Sequence, residues 1–217
     1  MKKLTLASLP VLAVVALLAS GCGGTAGSSK ASEVRASPTK CPVAWRAGWQ
    51  KLANQIRASV YCPGWMPSPL DGKIGGPRSN GRYVDPDRSY LVSFVWQETN
   101  ATGGSEVHVN FRGYPGRTKI PVCRESNYTA GKQHYFTIPC FDDPRGQHKV
   151  GGETVTVYTV NQDADQWHVL YAWRYKGSLY TVSEHVAPPF PSATLVMKNL
   201  DRVMRSLQRL SPQTTPA

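Results

Sequence analysis

The chain has 217 residues, 25 Lys and Arg against 14 Asp and Glu, a formal net charge of +11, five cysteines and 41% hydrophobic residues. That length and apolar content exclude a disordered chain and a core-less disulfide peptide, and they suit one domain with an adequate core. The excess of basic residues favours polyanionic surroundings over acidic or neutral partners.

The first residues divide into a positive head at Lys2 and Lys3, an uncharged apolar run from Leu4 to Leu18, and small residues at Ala19-Ser20-Gly21 before Cys22. This is an export-signal pattern, too short for a membrane-spanning helix. Ala19-Ser20-Gly21-Cys22 resembles the lipobox of bacterial lipoproteins. The resemblance implies cleavage between Gly21 and Cys22 and a diacylglycerol on Cys22. The membrane is then a partner, and the expected location is the cell membrane, lipid-anchored on its extracytoplasmic face. Residues 22–40 are rich in Gly, Ser, Ala and Thr and read as a flexible tether of about 20–25 Å r.m.s. span. Loss of residues 1–21 removes two lysines and leaves 23 basic side chains against 14 acidic, a balance of +9. For an exported chain that balance suits anionic lipid or wall polymer, and nucleic acid is not expected.

Residues 41–211 are read as a single globular domain, with 212–217 as a C-terminal tail. Cys41, Cys62, Cys123 and Cys140 form an even set in an oxidising compartment and imply two disulfides. Of three pairings, Cys123–Cys140 is favoured, as closure of a Gly- and Tyr-containing excursion rather than of a regular element. Cys41–Cys62 then requires the intervening helix to stay within roughly 45–57. Sixteen helical residues would separate its ends by about 24 Å, whereas disulfide Cα atoms lie within about 7 Å. The crossed pairings stay open. Neither C-x2-C nor H-x3-H spacing occurs, so no metal and no cofactor is expected.

Trp45, Trp49, Leu52, Ile56 and Val60 recur at helical spacing, and the prolines from Pro63 to Pro69 stop that helix. Residues 70–88 read as loop. Tyr90–Trp96 and Val107–Phe111 alternate as strands around a turn at 101–105. Residues 112–150 carry one short strand, at Tyr135–Ile138. Thr154–Val160 is a β-branched strand, and Asn161–Gln166 is a polar turn. Trp167, Val169, Tyr171, Trp173 and Tyr175 form a long alternation, joined through Lys176-Gly177 to a strand at Leu179–His185. Ser192–Leu210 reads as a helix, with Ser192 as N-cap and an apolar stripe of Val196, Leu200, Val203, Leu207 and Leu210. The sum is an α+β domain: an antiparallel meander with an N-terminal and a C-terminal helix packed on one face.

The order Cys-Pro-Gly-Trp-Met-Pro at 62–67, a meander, Trp-His-Val-Leu-Tyr-Ala-Trp-Arg-Tyr-Lys-Gly-Ser-Leu-Tyr-Thr-Val-Ser at 167–183 and Met-Arg-Ser-Leu at 204–207 resembles uncharacterised exported domains. These occur in actinobacterial lipoproteins and on the outer side of anti-sigma factors, with a PsbP/Mog1-like layout. The resemblance implies a binding or sensing module and brings no catalytic residues.

His108, His134, His148, His168 and His185 are expected to be solvent-facing or hydrogen-bonded histidines. Asp142-Asp143 and Asp163/Asp165 are expected to serve local turns. No G-x-S-x-G nucleophile motif occurs. Trp167, Tyr171, Trp173, Tyr175 and Tyr180 are expected to share a core face, the alternative being a stacking platform for a sugar ring or lipid chain. Lys198, Arg202, Arg205 and Arg209 step along the last helix and are expected to form its solvated face, the alternative being a contact for an anionic surface. The function expected is a non-catalytic binding or sensing lipoprotein. The alternatives are a carrier of an apolar ligand and, third, a cell-envelope hydrolase.

Overall fold

The computed structural model describes residues 40–70, 81–97 and 106–213. The export signal, Cys22, all of the tether but Lys40, and the turn read at 101–105 lie outside the described residues. The element order is α1 (Val43–Ile56), β1 (Val60–Cys62), β2 (Gly81–Val84), β3 (Tyr90–Gln97), β4 (Glu106–Tyr114), β5 (Val122–Thr129), β6 (Lys132–Pro139) and β7 (Phe141–Val150). It continues with β8 (Glu153–Asn161), a 3-10 turn at Asp163–Asp165, β9 (His168–Tyr175), β10 (Ser178–His185), α2 (Ala193–Ser206) and β11 (Gln208–Leu210).

The α+β arrangement is the one expected. Seven strands form one sheet in the order β2-β3-β4-β10-β9-β8-β7. Two antiparallel meanders, β2–β4 and β7–β10, meet where β4 pairs with β10. Both helices cover the same face: Trp45 and Trp49 of α1 meet Phe94 and Phe111, and Tyr171 of β9 donates to the Met197 carbonyl of α2. Between helices and sheet lie the buried Tyr171, Trp173, Tyr180, Leu52, Ile56, Val196, Leu200 and Val203. Tyr171, Trp173 and Tyr180 are therefore core, whereas Tyr175 is half-buried at its edge.

Three hairpins turn on two residues with left-handed backbone, at Ala130-Gly131, Gly151-Gly152 and Lys176-Gly177, which matches strand twist. Gly151 has a further reason. A Cβ there would lie 2.2 Å from the carbonyl oxygen of Met204, so the β7–β8 turn packs directly on the α2 backbone.

Five expectations need correction. Residues 112–150 hold three strands, β5, β6 and β7, rather than one short segment. Most β5 and β6 side chains are exposed on both faces, so burial leaves no period-2 trace in their sequence. Cys123–Cys140 consequently staples the base of a regular hairpin, where Cys123 stands opposite Ile138. Within 70–88 the edge strand β2 pairs with β3. The last helix ends at Ser206; Leu207 turns extended and residues 208–210 pair with β1 instead. Trp167 stands outside β9, with φ 64° and 73% exposure, and is no part of the core face.

Cys41–Cys62 forms with Cα atoms 5.6 Å apart. Arg57 takes the left-handed conformation that ends α1, and the chain then returns extended through β1. The short helix that this pairing demanded is the one present.

Candidate metal centre

On β4, β9 and β10 the residues facing away from the helices are polar at one end of the sheet. His185 pairs with His168 across β10–β9, and Glu184 pairs with Val109 across β10–β4. Three adjacent strands therefore carry His108, His185 and His168 side by side. Strands about 4.8 Å apart bring such neighbours within reach of one ion. One ring nitrogen from each histidine lies within 4.8 Å of the other two. His108 and His168, 60 residues apart in sequence, approach Nε2 to Nε2 at 2.8 Å.

The opposite ring nitrogens face oxygen. His168 Nδ1 lies 2.8 Å from Ser183 Oγ, whose hydroxyl donates to Asp165 Oδ1 at 2.6 Å, so Nδ1 donates to the serine. His185 Nδ1 donates to the Glu106 carbonyl at 2.8 Å. His108 Nδ1 is 3.4 Å from the Glu106 carboxylate without hydrogen-bond alignment, and it has no hydrogen-bond partner among the described residues. Asp165 is the hub beneath this row. It also accepts from Asn110 Nδ2 at 2.8 Å and Arg112 Nε at 2.7 Å, and the Ala164 carbonyl lies 3.2 Å from His108 Nε2. Burial pushes the His168 ring down to about 2, helped by neighbouring His108, His185 and Arg112. Burial likewise lowers His108, against the opposing Ala164 carbonyl. Both rings are neutral at pH 7.

The donor set fits a metal ion. Tetrahedral Zn–N bonds of about 2.0–2.1 Å place ligand nitrogens roughly 3.3 Å apart, within the spread of the cluster. Oxygen partners on the far ring nitrogens orient metal-binding imidazoles. His168, Ser183 and Asp165 do not form a nucleophile triad. Serine and carboxylate address the same ring nitrogen, the carboxylate from 3.8 Å, and Ser183 is fully buried.

No single local motif announces this site; the absence of close-spaced ligands led to an expectation of no metal. Its trace is the alternation His108-x-Asn110-x-Arg112 with Ser183-x-His185, polar residues at every second position of otherwise apolar strands. Asp163 and Asp165 do build a turn, but Asp165 is buried and accepts from side chains of two strands, Asn110 and Arg112 of β4 and Ser183 of β10. His134 is exposed on β6. His148 joins Tyr171 on Asp201, at 3.1 Å each, beside a cavity of about 360 Å³.

Of the four basic residues read as one helical stripe, Lys198, Arg202 and Arg205 lie on α2, whereas Arg209 lies on β11. Arg202 stacks over Trp65 at 4.2 Å, Arg209 over Tyr175 at 4.2 Å, and Arg205 pairs with Asp201 at 3.2 Å.

No family model, curated protein or solved structure matches this chain.

Proposed function

We propose that the chain is a lipid-tethered extracytoplasmic module that binds one divalent transition-metal ion through His108, His168 and His185. One observation carries this reading: ring nitrogens from three strands converge while their other nitrogens are directed at Glu106 and Ser183. With Nδ1 of His168 and His185 holding the proton, their Nε2 lone pairs face the cluster, while His108 Nε2 carries a proton directed at His168 Nε2 and the Ala164 carbonyl, which a bound cation would displace. A single proton can bridge two such nitrogens and leaves the third unserved; a cation serves all three. Neutral imidazoles without thiolates suit Zn²⁺, Cu²⁺, Ni²⁺ or Fe²⁺, whereas Ca²⁺ and Mg²⁺ require oxygen ligands. Among the described residues three ligands are present, and His108 and His185 are only half-buried.

Two disulfides support an oxidising compartment, and the lipobox at Ala19–Cys22 supports the anchor. The carrier alternative finds less support. The helix–sheet interface is packed with aromatics, and the groove between α1 and β2–β3 holds about 180 Å³, below the usual ligand-pocket range of about 300–1,000 Å³. The cavity of about 360 Å³ between α2 and Tyr171 reaches that range but is lined by His148, Lys198 and Asp201 as well as Met197.

The test is calorimetric titration of the mature chain, beginning at position 22 with Cys22→Ser and stripped by chelator. One Zn²⁺, Cu²⁺ or Ni²⁺ per chain and no saturable Ca²⁺ binding is expected. Absence of saturable binding by all of the transition ions would remove the proposal.

A further inference from the structure

The described chain begins beside a basic surface. The Cys41 amide donates to Gln208 Oε1 at 3.2 Å, and Cys62, disulfide-bonded to Cys41, pairs with Gln208 across β1–β11. Arg209, the next residue, is exposed and stacks on Tyr175, whose ring also has the Lys176 ammonium 5.7 Å away. The Pro63–Trp65 segment closes the end of α2, with the Gly64 and Trp65 amides both donating to Ser206 Oγ at 3.1 Å. That contact places Trp65 under the exposed Arg202. Arg205 stands one turn further on, half-neutralised by Asp201. The other acid at this end, Glu153, accepts from Tyr61 Oη at 3.2 Å.

We propose that this face, made of Arg202, Arg205, Arg209 and Lys176 backed by Trp65 and Tyr175, docks on the anionic phospholipid surface that holds Cys22. The inference rests on the lipid anchor and is independent of the metal centre. Chain length and charge select the occupant. Eighteen residues lie between Cys22 and Cys41, and a domain of this size has a radius of gyration of about 16 Å, so the face that carries Cys41 stays within reach of the headgroups. Four basic residues at an anionic surface give affinities on the order of 1 mM, and a short tether supplies an effective concentration of the same order. Stacking fixes each guanidinium plane and leaves its N–H edge free for phosphate oxygens, while Trp and Tyr suit the headgroup layer.

The experiment is partition of the unlipidated mature chain, with Cys22→Ser, onto phosphatidylcholine vesicles with and without about 30% phosphatidylglycerol at low salt. Partition onto the anionic vesicles alone is expected, falling away at high salt. Arg202→Glu with Arg209→Glu should lower it by about tenfold or more. Arg202→Gln with Arg209→Gln should lower it less, with native near-ultraviolet circular dichroism. Arg124→Glu with Lys132→Glu on the β5–β6 hairpin removes one stacked and one free cation there and should change partition less than about twofold. Equal losses in the two Glu pairs, equal binding to neutral vesicles, or no binding by the parent chain would overturn the proposal. Binding to soluble polyglycerol phosphate without binding to vesicles would overturn it too, in favour of wall polymer. The mass of the lipidated mature protein reports the anchor at Cys22 separately.

Discussion

The two faces of β4, β9 and β10 differ by one step along the chain and by their whole chemistry. Toward the helices stand Val109, Phe111, Val169, Tyr171, Trp173, Tyr180 and Val182, all buried among apolar neighbours. Away from them, at one end, stand His108, Asn110, Arg112, His168, Ser183 and His185, joined through Asp165. The apolar face supplies the free energy that holds the strands in register. The polar face spends that rigidity on keeping three imidazoles side by side. Changes on the first face should therefore cost stability and spare ion binding until the fold fails, and changes on the second should do the reverse.

The largest effect is expected at Trp173, buried against Tyr61 and Tyr180. Trp173→Ala should lower unfolding free energy by about 3–5 kcal/mol. The folded fraction should keep its metal affinity, and denaturant titration with and without chelator separates the two quantities. A loss of affinity in the folded fraction would show that the faces are coupled.

His168→Ala reverses the pattern. Zn²⁺ affinity should fall by more than about 100-fold, while the midpoint of the metal-free protein changes little compared with Trp173→Ala. Competition with a chromophoric chelator reads this directly. An unchanged affinity would exclude His168 as a ligand.

Ser183→Ala tests support rather than ligation. It frees His168 Nδ1 and leaves Asp165 without one donor, so affinity should fall about 10- to 100-fold. Ser183→Thr should restore most of it. Histidine ¹⁵N shifts should show the His168 proton leaving Nδ1 in the alanine variant only.

Glu184 is the exception on the apolar face. It is fully buried, its Oε1 accepts from Asn199 at 2.7 Å and its Oε2 has no partner. Burial raises its carboxyl to about 8, opposed only by the Asn199 hydrogen bond. Between the unfolded value near 4.5 and 8, the folded state holds a proton that the unfolded chain releases. Stability should therefore fall as pH rises through that window, by up to about 1.4 kcal/mol per unit, and level off above it. In metal-free protein, Glu184→Gln should remove this slope. An identical pH profile for parent and variant would show that Glu184 stays ionised.

The same contrast explains what could be read in advance. Strands β3, β4 and β8 were legible because one face of each is more buried than the other and imposes period two on the residues. Strands β9 and β10, buried on both faces, were legible from the aromatics at alternate positions and the Lys176-Gly177 turn. β5 and β6 were not, since a hairpin exposed on both faces and stapled by Cys123–Cys140 needs no alternation. The end of α2 was misread because Leu207 and Leu210 continue a helical spacing that the chain uses for a strand against β1. Trp167 fitted the β9 alternation, but the chain there turns left-handed to hang the Asp163–Asp165 turn over the polar face.

Local sequence determined the α+β class, the buried aromatics Tyr171, Trp173 and Tyr180 and the capping Ser192, because each depends on neighbours within a turn or a strand pair. Which cysteines join, where α2 stops, and above all that His108, His168 and His185 meet were decided by the tertiary structure. The pairing of β4 with β10 brings together residues that no local spacing relates. An ion's ligands need only be close in space, and that closeness is a property of sheet order, which the chain acquires when its apolar face is buried.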